Sequence, residues 1–171
     1  RRGAYGAGVS SSTITICRRC GPWAPISRVC SMSAVRDGPV ITCAGALSAL
    51  DVVLDLEQAI GEHNFAIVGR NEIGEAVRRR GHADFGDAAI VHFCNLQYAR
   101  RAMTIDPSLI LYMPCRIAVF EDDNGRIHAG SLLLPEQTSH EAFNSMALDV
   151  NRQIREIIDY AVAPVIEPES P

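Results

Sequence analysis

Residues 109–134 have the sequence LILYMPCRIAVFEDDNGRIHAGSLLL, two apolar runs separated by a polar turn. The Asn124-Gly125 step is a strong β-hairpin signal, because both residues tolerate the positive φ angles of a tight turn. We therefore predict strands over 109–120 and 127–134. A hairpin joins antiparallel strands, so the pattern excludes a purely parallel sheet.

A long helix is predicted after the hairpin. Thr138 and Glu141 have the spacing of a capping box, and apolar residues then recur every three or four positions. This pattern indicates the closing helix of the domain. Its apolar positions are Phe143, Met146, Ala147, Val150, Ile154, Ile157, Ile158 and Ala161.

Strands and helices alternate upstream of the hairpin. Three short apolar runs predict strands, at 40–42, 65–68 and 88–94. Three N-cap residues predict the helices that follow them, Ser48, Asn71 and Asn95. The first of these helices is expected to have an apolar face of Leu50, Val53, Leu54 and Ile60. The pattern predicts a two-layer α/β (α+β) sandwich with a mixed sheet of about five strands.

The domain is expected to cover residues 39–163. Residues 1–38 are rich in Arg, Ser and Gly without helix or strand periodicity, so we expect a disordered, upstream or targeting segment there. Residues 164–171 contain three prolines and two glutamates and are expected to form a flexible acidic tail.

The charged residues exclude several classes of chemistry. Every basic residue is arginine, so the chain has no P-loop lysine, Schiff-base lysine or Ser-Lys dyad. Six arginines precede the first acidic residue, Asp37, within a formal net charge of −4. The rest of the chain is therefore acidic, and we expect no nucleic-acid partner. No apolar run reaches the roughly 18 residues of a membrane span.

Three strings resemble the signature of the DUF302 family. They are Phe93-Cys94-Asn95-Leu96-x-Tyr98-Ala99, then Asp106-Pro107, then Tyr112-Met113-Pro114-Cys115-Arg116-Ile117-x-Val119. The resemblance implies a small bacterial or archaeal α/β domain whose biochemical role is not established. It also implies an association with sulfur or redox metabolism, through genomic context.

The cysteines of these strings form the candidate site. Strand alternation places His92 and Cys94 on one face, and Cys94 directly precedes the helix capped by Asn95. A helix N-terminus lowers the pKa of a nearby thiol. If Cys115 lies on a neighbouring strand, Cys94, Cys115 and Arg116 form a thiol pair beside a cation.

Three functional hypotheses follow. The first is a soluble binding protein or complex subunit rather than an enzyme, because no complete set of acid, base and nucleophile can be assembled. The second is a thiol-based redox or persulfide sulfur-carrier protein that uses Cys94 and Cys115. The third is haem or metal binding through His92 and the cysteines. Simple core packing of both cysteines is the alternative to the second and third hypotheses.

Partners and location are predicted only broadly. We expect an unknown protein partner or small ligand, and a homo-oligomer is compatible with the long apolar helix. Cys17-x-x-Cys20 lacks a second close ligand pair, so no zinc site and no cofactor are predicted. Free cysteines are typical of a reducing compartment, which favours the cytoplasm.

Overall fold

The computed structural model describes residues 39–44 and 47–163. The strands are β1 (Pro39–Cys43), β2 (Ala66–Glu72), β3 (Ala88–Cys94), β4 (Cys115–Glu121) and β5 (Ile127–Leu132). The helices are α1 (Ala49–Glu62), α2 (Ile73–Arg78), α3 (Leu96–Ile105), α4 (Glu141–Ala161) and a 3-10 helix (Pro107–Tyr112). The segments predicted at 1–38 and 164–171 lie outside the described residues.

The five strands form one sheet in the order β1-β5-β4-β3-β2. The two-layer α/β class, the hairpin and the closing helix are confirmed. The expected mixture of parallel and antiparallel pairs is wrong, because all four strand pairs in the described part of the chain are antiparallel. After β3, the 3-10 helix packs back against α3. The chain therefore enters β4 at the end of the sheet where it left β3, which makes the pair antiparallel.

The hairpin turn forms where the sequence predicts it. Gly125 has a φ angle of +73°, and its backbone N–H donates to the carbonyl of Asp122 at 2.9 Å. The strand before it is shorter than predicted, because Leu109 to Tyr112 belong to the 3-10 helix. Pro107 at the start of this helix presets a helical φ angle, and Asp106 accepts a hydrogen bond from the backbone of Ser108.

Two of the three helix caps predicted upstream are confirmed. The side chains of Ser48 and Asn95 accept backbone hydrogen bonds at the starts of α1 and α3. The cap predicted at Asn71 is wrong, because Asn71 lies within β2 and pairs with Ile90. Pairing with β3 satisfies the backbone of Asn71, and its side chain contacts His92 instead.

The predicted capping box before α4 is also wrong. The helix begins at Glu141, and Thr138 donates its hydroxyl to Asn144 at 2.7 Å. Asn144 accepts from the backbone N–H of Thr138 and donates to its carbonyl. A side chain from the second turn of the helix therefore holds the preceding loop.

The core lies between the sheet and the helices α1 and α4, which contact each other. On α1 the predicted apolar face is partly wrong, because Leu50 and Leu54 are 61% and 52% exposed. Two adjacent stripes of this helix are apolar, so periodicity did not identify the inner one. The stripe that packs into the core consists of Ala49, Val52, Val53, Leu56, Ala59 and Ile60.

Candidate functional site

β3 and β4 bring the two predicted cysteines to the same end of the sheet. β3 ends at Cys94, and β4 begins at Cys115, which pairs with Phe93. Both cysteines are free thiols. The adjacent strand that the sequence hypothesis required is therefore present, and the two thiols are close enough for the charge of one to affect the other.

Cys94 and Cys115 line one cavity of about 30 Å³. A single water molecule needs roughly 10–15 Å³ measured in this way, so the cavity has space for one or two atoms. Its walls come from both cysteine strands, α3, the 3-10 helix and α4, and they are mainly aromatic or aliphatic. The rings that line it belong to Phe65, Tyr98, Tyr112 and Phe143.

The pKa of both thiols is raised. Burial raises the pKa of Cys94. Burial, together with the negative charge of an ionised Cys94, raises the pKa of Cys115 to about 11. The expectation that the N-terminus of α3 lowers the pKa of Cys94 is wrong, because the loss of hydration outweighs any such attraction. Both thiols are therefore protonated at neutral pH.

Arg116 and His92 do not line this cavity. They pair with each other across β3 and β4. Strand alternation places them with Cys94 on the half-buried or exposed side of these strands, whereas Cys115 lies on the side of the buried residues. Nε2 of His92 lies 2.8 Å from Oδ1 of Asn71. The cavity is therefore lined by both cysteines but by neither the predicted cation nor the predicted imidazole.

Asn95, the remaining candidate residue, connects two segments beside the cavity. Its Oδ1 accepts from the backbone N–H groups of Gln97 at 2.9 Å and Tyr98 at 3.3 Å. Its Nδ2 donates to the carbonyl of Asn64 at 3.0 Å. Asn64 has a φ angle of +60°, so this bond holds a left-handed turn between α1 and β2.

We expect Asn95→Ala to lower the free energy of unfolding by about 1–2 kcal/mol, because it removes the helix cap. Asn95→Asp keeps the oxygen acceptor and loses only the bond to Asn64, so its loss should be smaller. Urea denaturation followed by circular dichroism measures both. Equal losses for the two variants would contradict a capping role for Asn95.

The structure adds residues that the sequence hypothesis did not place in the site. Met113 lines the cavity and is partly buried against the core. Tyr98 also lines it, and its hydroxyl accepts a hydrogen bond from Nε2 of Gln153 at 3.2 Å. The sequence could have suggested Met113 as a residue of the site, because it lies only two positions before Cys115. No sequence pattern near Tyr98 could have predicted its hydrogen bond with Gln153 of α4, which is 55 residues away.

A further charged cluster locks the hairpin turn. Oδ2 of Asp122 accepts hydrogen bonds from His128 and from the guanidinium of Arg126. Its Oδ1 accepts from the backbone N–H groups of Asn124 and Arg126. The bonds from His128 and Arg126 hold the pKa of Asp122 well below its usual range. Because both carboxylate oxygens of Asp122 accept hydrogen bonds from residues of the turn and of β5, this side chain stabilises the hairpin turn.

The described residues thus form a two-layer α/β domain with a small, thiol-lined cavity at one end of an antiparallel sheet. The chain belongs to the DUF302 family, described as "Domain of unknown function DUF302", whose sequence model matches residues 41–161. The family resemblance found in the sequence is confirmed.

A solved crystal structure with a similar fold belongs to the same family. It is the crystal structure of the uncharacterized conserved protein DUF302 from Bacillus stearothermophilus, with a TM-score of 0.64 and 16% sequence identity. The match covers 72% of this chain and 97% of that chain. No curated protein is significantly similar to the chain. Within the described residues, no helix combines the length and apolar character needed to cross a bilayer.

Proposed function

We propose that this domain is a binding protein whose site is the cavity between Cys94 and Cys115. The observation that carries the proposal is that two cysteines with free thiols are among the residues that line the same small, mostly apolar cavity. A thiol pair in such surroundings binds species that form strong bonds to sulfur. We infer a thiophilic ligand of one or two atoms.

The size of the cavity argues against larger ligands. Pockets for organic ligands have volumes of roughly 300–1,000 Å³, whereas this cavity measures about 30 Å³. A haem does not fit this volume, and His92 does not line the cavity. The geometry therefore does not support the hypothesis of haem binding through His92 and the cysteines.

The chemistry of the walls favours binding over catalysis. A catalytic cysteine needs a general base, a cation or a lowered pKa to form its thiolate. The residues that line the cavity include no histidine, carboxylate or arginine. Both thiols have a raised pKa. An enzyme mechanism at neutral pH would have to obtain its base from another molecule.

A persulfide sulfur carrier is the second candidate, because a sulfane sulfur is a single atom and both cysteines are among the residues that line the cavity. The Cys94 thiolate would attack the outer sulfur of a donor persulfide, R–S–SH. A new S–S bond forms at Cys94, the donor S–S bond breaks, and R–S⁻ leaves. The Cys115 thiolate would then attack Sγ of Cys94, which forms a disulfide and releases HS⁻.

Labelling of the folded, full-length protein with methyl methanethiosulfonate tests the proposal, because this reagent adds only the small S–CH₃ group. We expect Cys94 to react without unfolding. At pH 7.5, a pKa of about 11 in place of 9.0 makes the thiolate fraction of Cys115 about 100-fold smaller than that of an ordinary thiol, so Cys115 should react more slowly than Cys94. Peptide mapping after timed quenching gives each rate.

Cys43 on β1, which does not line the cavity, is the internal control. Ala99→Leu adds side-chain volume at the cavity wall and should slow the labelling of Cys94 but not of Cys43. The proposal is wrong if Cys94 and Cys115 both react only when the whole domain unfolds. A mass gain of one sulfur after treatment with a persulfide donor, reversed by reductant, would favour the sulfur carrier.

A further inference from the structure

We propose that two copies of this chain associate through a contact between α3 of one copy and α1 of the other. The basic surface in this contact consists of the exposed side chains of α3 and the 3-10 helix, within residues 96–112. The acidic surface consists of the exposed side chains of α1, within residues 49–62. The inference does not depend on the proposed function, because neither Arg100, Arg101 nor any residue of α1 lines the thiol cavity.

The basic surface is unusually apolar. Sixteen large apolar side chains are exposed in the described residues, and six of them lie within residues 96–112. Leu111 and Leu96 are 83% and 75% exposed. Leu96, Arg100 and Met103 follow one another at four- and three-residue intervals, so they lie along one side of α3. The 3-10 helix contacts α3. A concentration of exposed apolar side chains of this kind is typical of an interaction site.

The charge of this surface is positive. Arg100 and Arg101 are exposed, and their guanidinium groups form no hydrogen bond or ion pair with any residue that the structure describes. The one acidic residue of this segment is Asp106. It accepts from the backbone of Ser108, and its Oδ2 lies 3.3 Å from Nε2 of His140. The two arginines are therefore left to bind an acidic partner, in a chain whose formal net charge is −4.

The outer face of α1 has the opposite charge. This helix contains four acidic residues and no basic residue. Leu50 and Leu54 are exposed one turn apart, and each is followed by an aspartate, Asp51 and Asp55. The side chain of Asp55 has no hydrogen bond or ion pair within residues 39–44 and 47–163. The acidic surface therefore also combines exposed leucines with charge.

The two surfaces complement each other on separate copies. A contact between α3 and α1 places leucine against leucine and arginine against aspartate, whereas a contact of either surface with itself opposes equal charges. A two-fold axis allows the same contact to form twice, which gives a closed dimer. Each copy has its own hydrophobic core. We therefore expect a reversible dimer of folded chains.

Sedimentation velocity of the full-length protein, with reductant and over a wide range of concentrations, tests this contact. We expect a monomer–dimer equilibrium. Arg100→Glu with Arg101→Glu should raise the dissociation constant at least about tenfold, because it opposes acidic surfaces. The matched control is Arg79→Glu with Arg80→Glu, which changes the net charge equally at the end of α2 and should leave the equilibrium unchanged.

A reversal of charge on α1 completes the test. Asp55→Arg with Glu62→Arg should also raise the dissociation constant at least about tenfold, because both surfaces are then basic. An equimolar mixture of this variant with the α3 variant should form a mixed dimer at least about tenfold tighter than either variant alone. The same mixture made with the α2 control should bind more weakly, because one of its two contacts opposes basic surfaces.

Three results would overturn the inference. The first is a native chain that stays monomeric at every concentration. The second is a dimer that neither charge reversal weakens, since it would form through another surface; circular dichroism shows that each variant is folded. The third is a monomer that binds vesicles of phosphatidylcholine and phosphatidylglycerol and loses this binding in Leu111→Ser, which would assign the basic surface to a membrane.

Discussion

Asn151→Leu is expected to lower the free energy of unfolding by about 3 kcal/mol, because it removes a buried amide that satisfies several polar groups at once. Asn151 is 1% exposed. Its Oδ1 accepts from the backbone N–H of Leu134 at 2.8 Å, and its Nδ2 donates to the carbonyl of Leu134 at 2.9 Å. Nδ2 also lies 2.8 Å from Oε1 of Glu136. Leucine fills a similar volume but leaves these groups without partners.

Asn144 provides a matched control on the same helix. It makes the corresponding pair of backbone bonds to Thr138, but it is only half-buried, so water can replace its amide. Asn144→Leu should therefore lose less than half as much stability as Asn151→Leu. Guanidinium denaturation followed at 222 nm measures both variants. A loss below about 1 kcal/mol for Asn151→Leu would contradict the interpretation that the buried hydrogen bonds of Asn151 stabilise the fold.

The same substitution should change the cavity. Leu134, which Asn151 holds through both backbone groups, lines the cavity beside Cys115. We expect faster labelling of Cys115 in Asn151→Leu at denaturant concentrations where the domain is still folded. An unchanged rate would show that the loop around Leu134 keeps its position without the amide.

The second large effect is a loss of stability at alkaline pH. The pKa of Cys115 is about 11 in the folded chain, whereas the ordinary pKa of a solvent-exposed cysteine thiol is 9.0. Between these values the unfolded chain has released this proton and the folded chain has not. The contribution of Cys115 is therefore fully present below pH 9 and is lost as the pH rises through 11. Two pKa units correspond to about 3 kcal/mol.

Cys115→Ala separates this contribution from the titration of other groups. We expect the free energy of unfolding of the native chain to fall relative to that of Cys115→Ala between pH 8 and pH 11, when both are measured by urea denaturation. Cys43→Ala should follow the native chain, because Cys43 does not line the cavity. Parallel curves for the native chain and Cys115→Ala would show that Cys115 ionises normally in the folded state.

Several features of the fold could be predicted because short segments encode them. Asn124-Gly125 specifies a tight turn through its tolerance of positive φ angles, and Gly125 adopts one. Ser48 and Asn95 cap helices through bonds to residues two or three positions away. These interactions are complete within one turn of chain, so the order of residues is sufficient to predict them.

Other local predictions failed where two structures suit the same residues. The apolar run from Leu109 to Tyr112 is compatible with a strand or with a 3-10 helix. The preceding Asp106 cap and Pro107 favour the helix. Asn71 suits a helix cap, but pairing with β3 keeps it in the sheet. For Asn71, pairing with β3 makes the strand more stable than a helix cap. That pairing joins distant parts of the chain, so no pattern around Asn71 could have predicted it.

For the candidate site, the sequence identified Cys94 and Cys115 as residues of interest because they stand in the family-like strings at predicted strand ends. The assembled sheet determined which neighbours they have. It turned Arg116 away from Cys115, placed Met113 in the wall of the same cavity and raised the pKa of both thiols. Caps and turns arise from neighbours along the chain, whereas cavities and pKa shifts arise from desolvation by residues that are distant in sequence and meet only after folding.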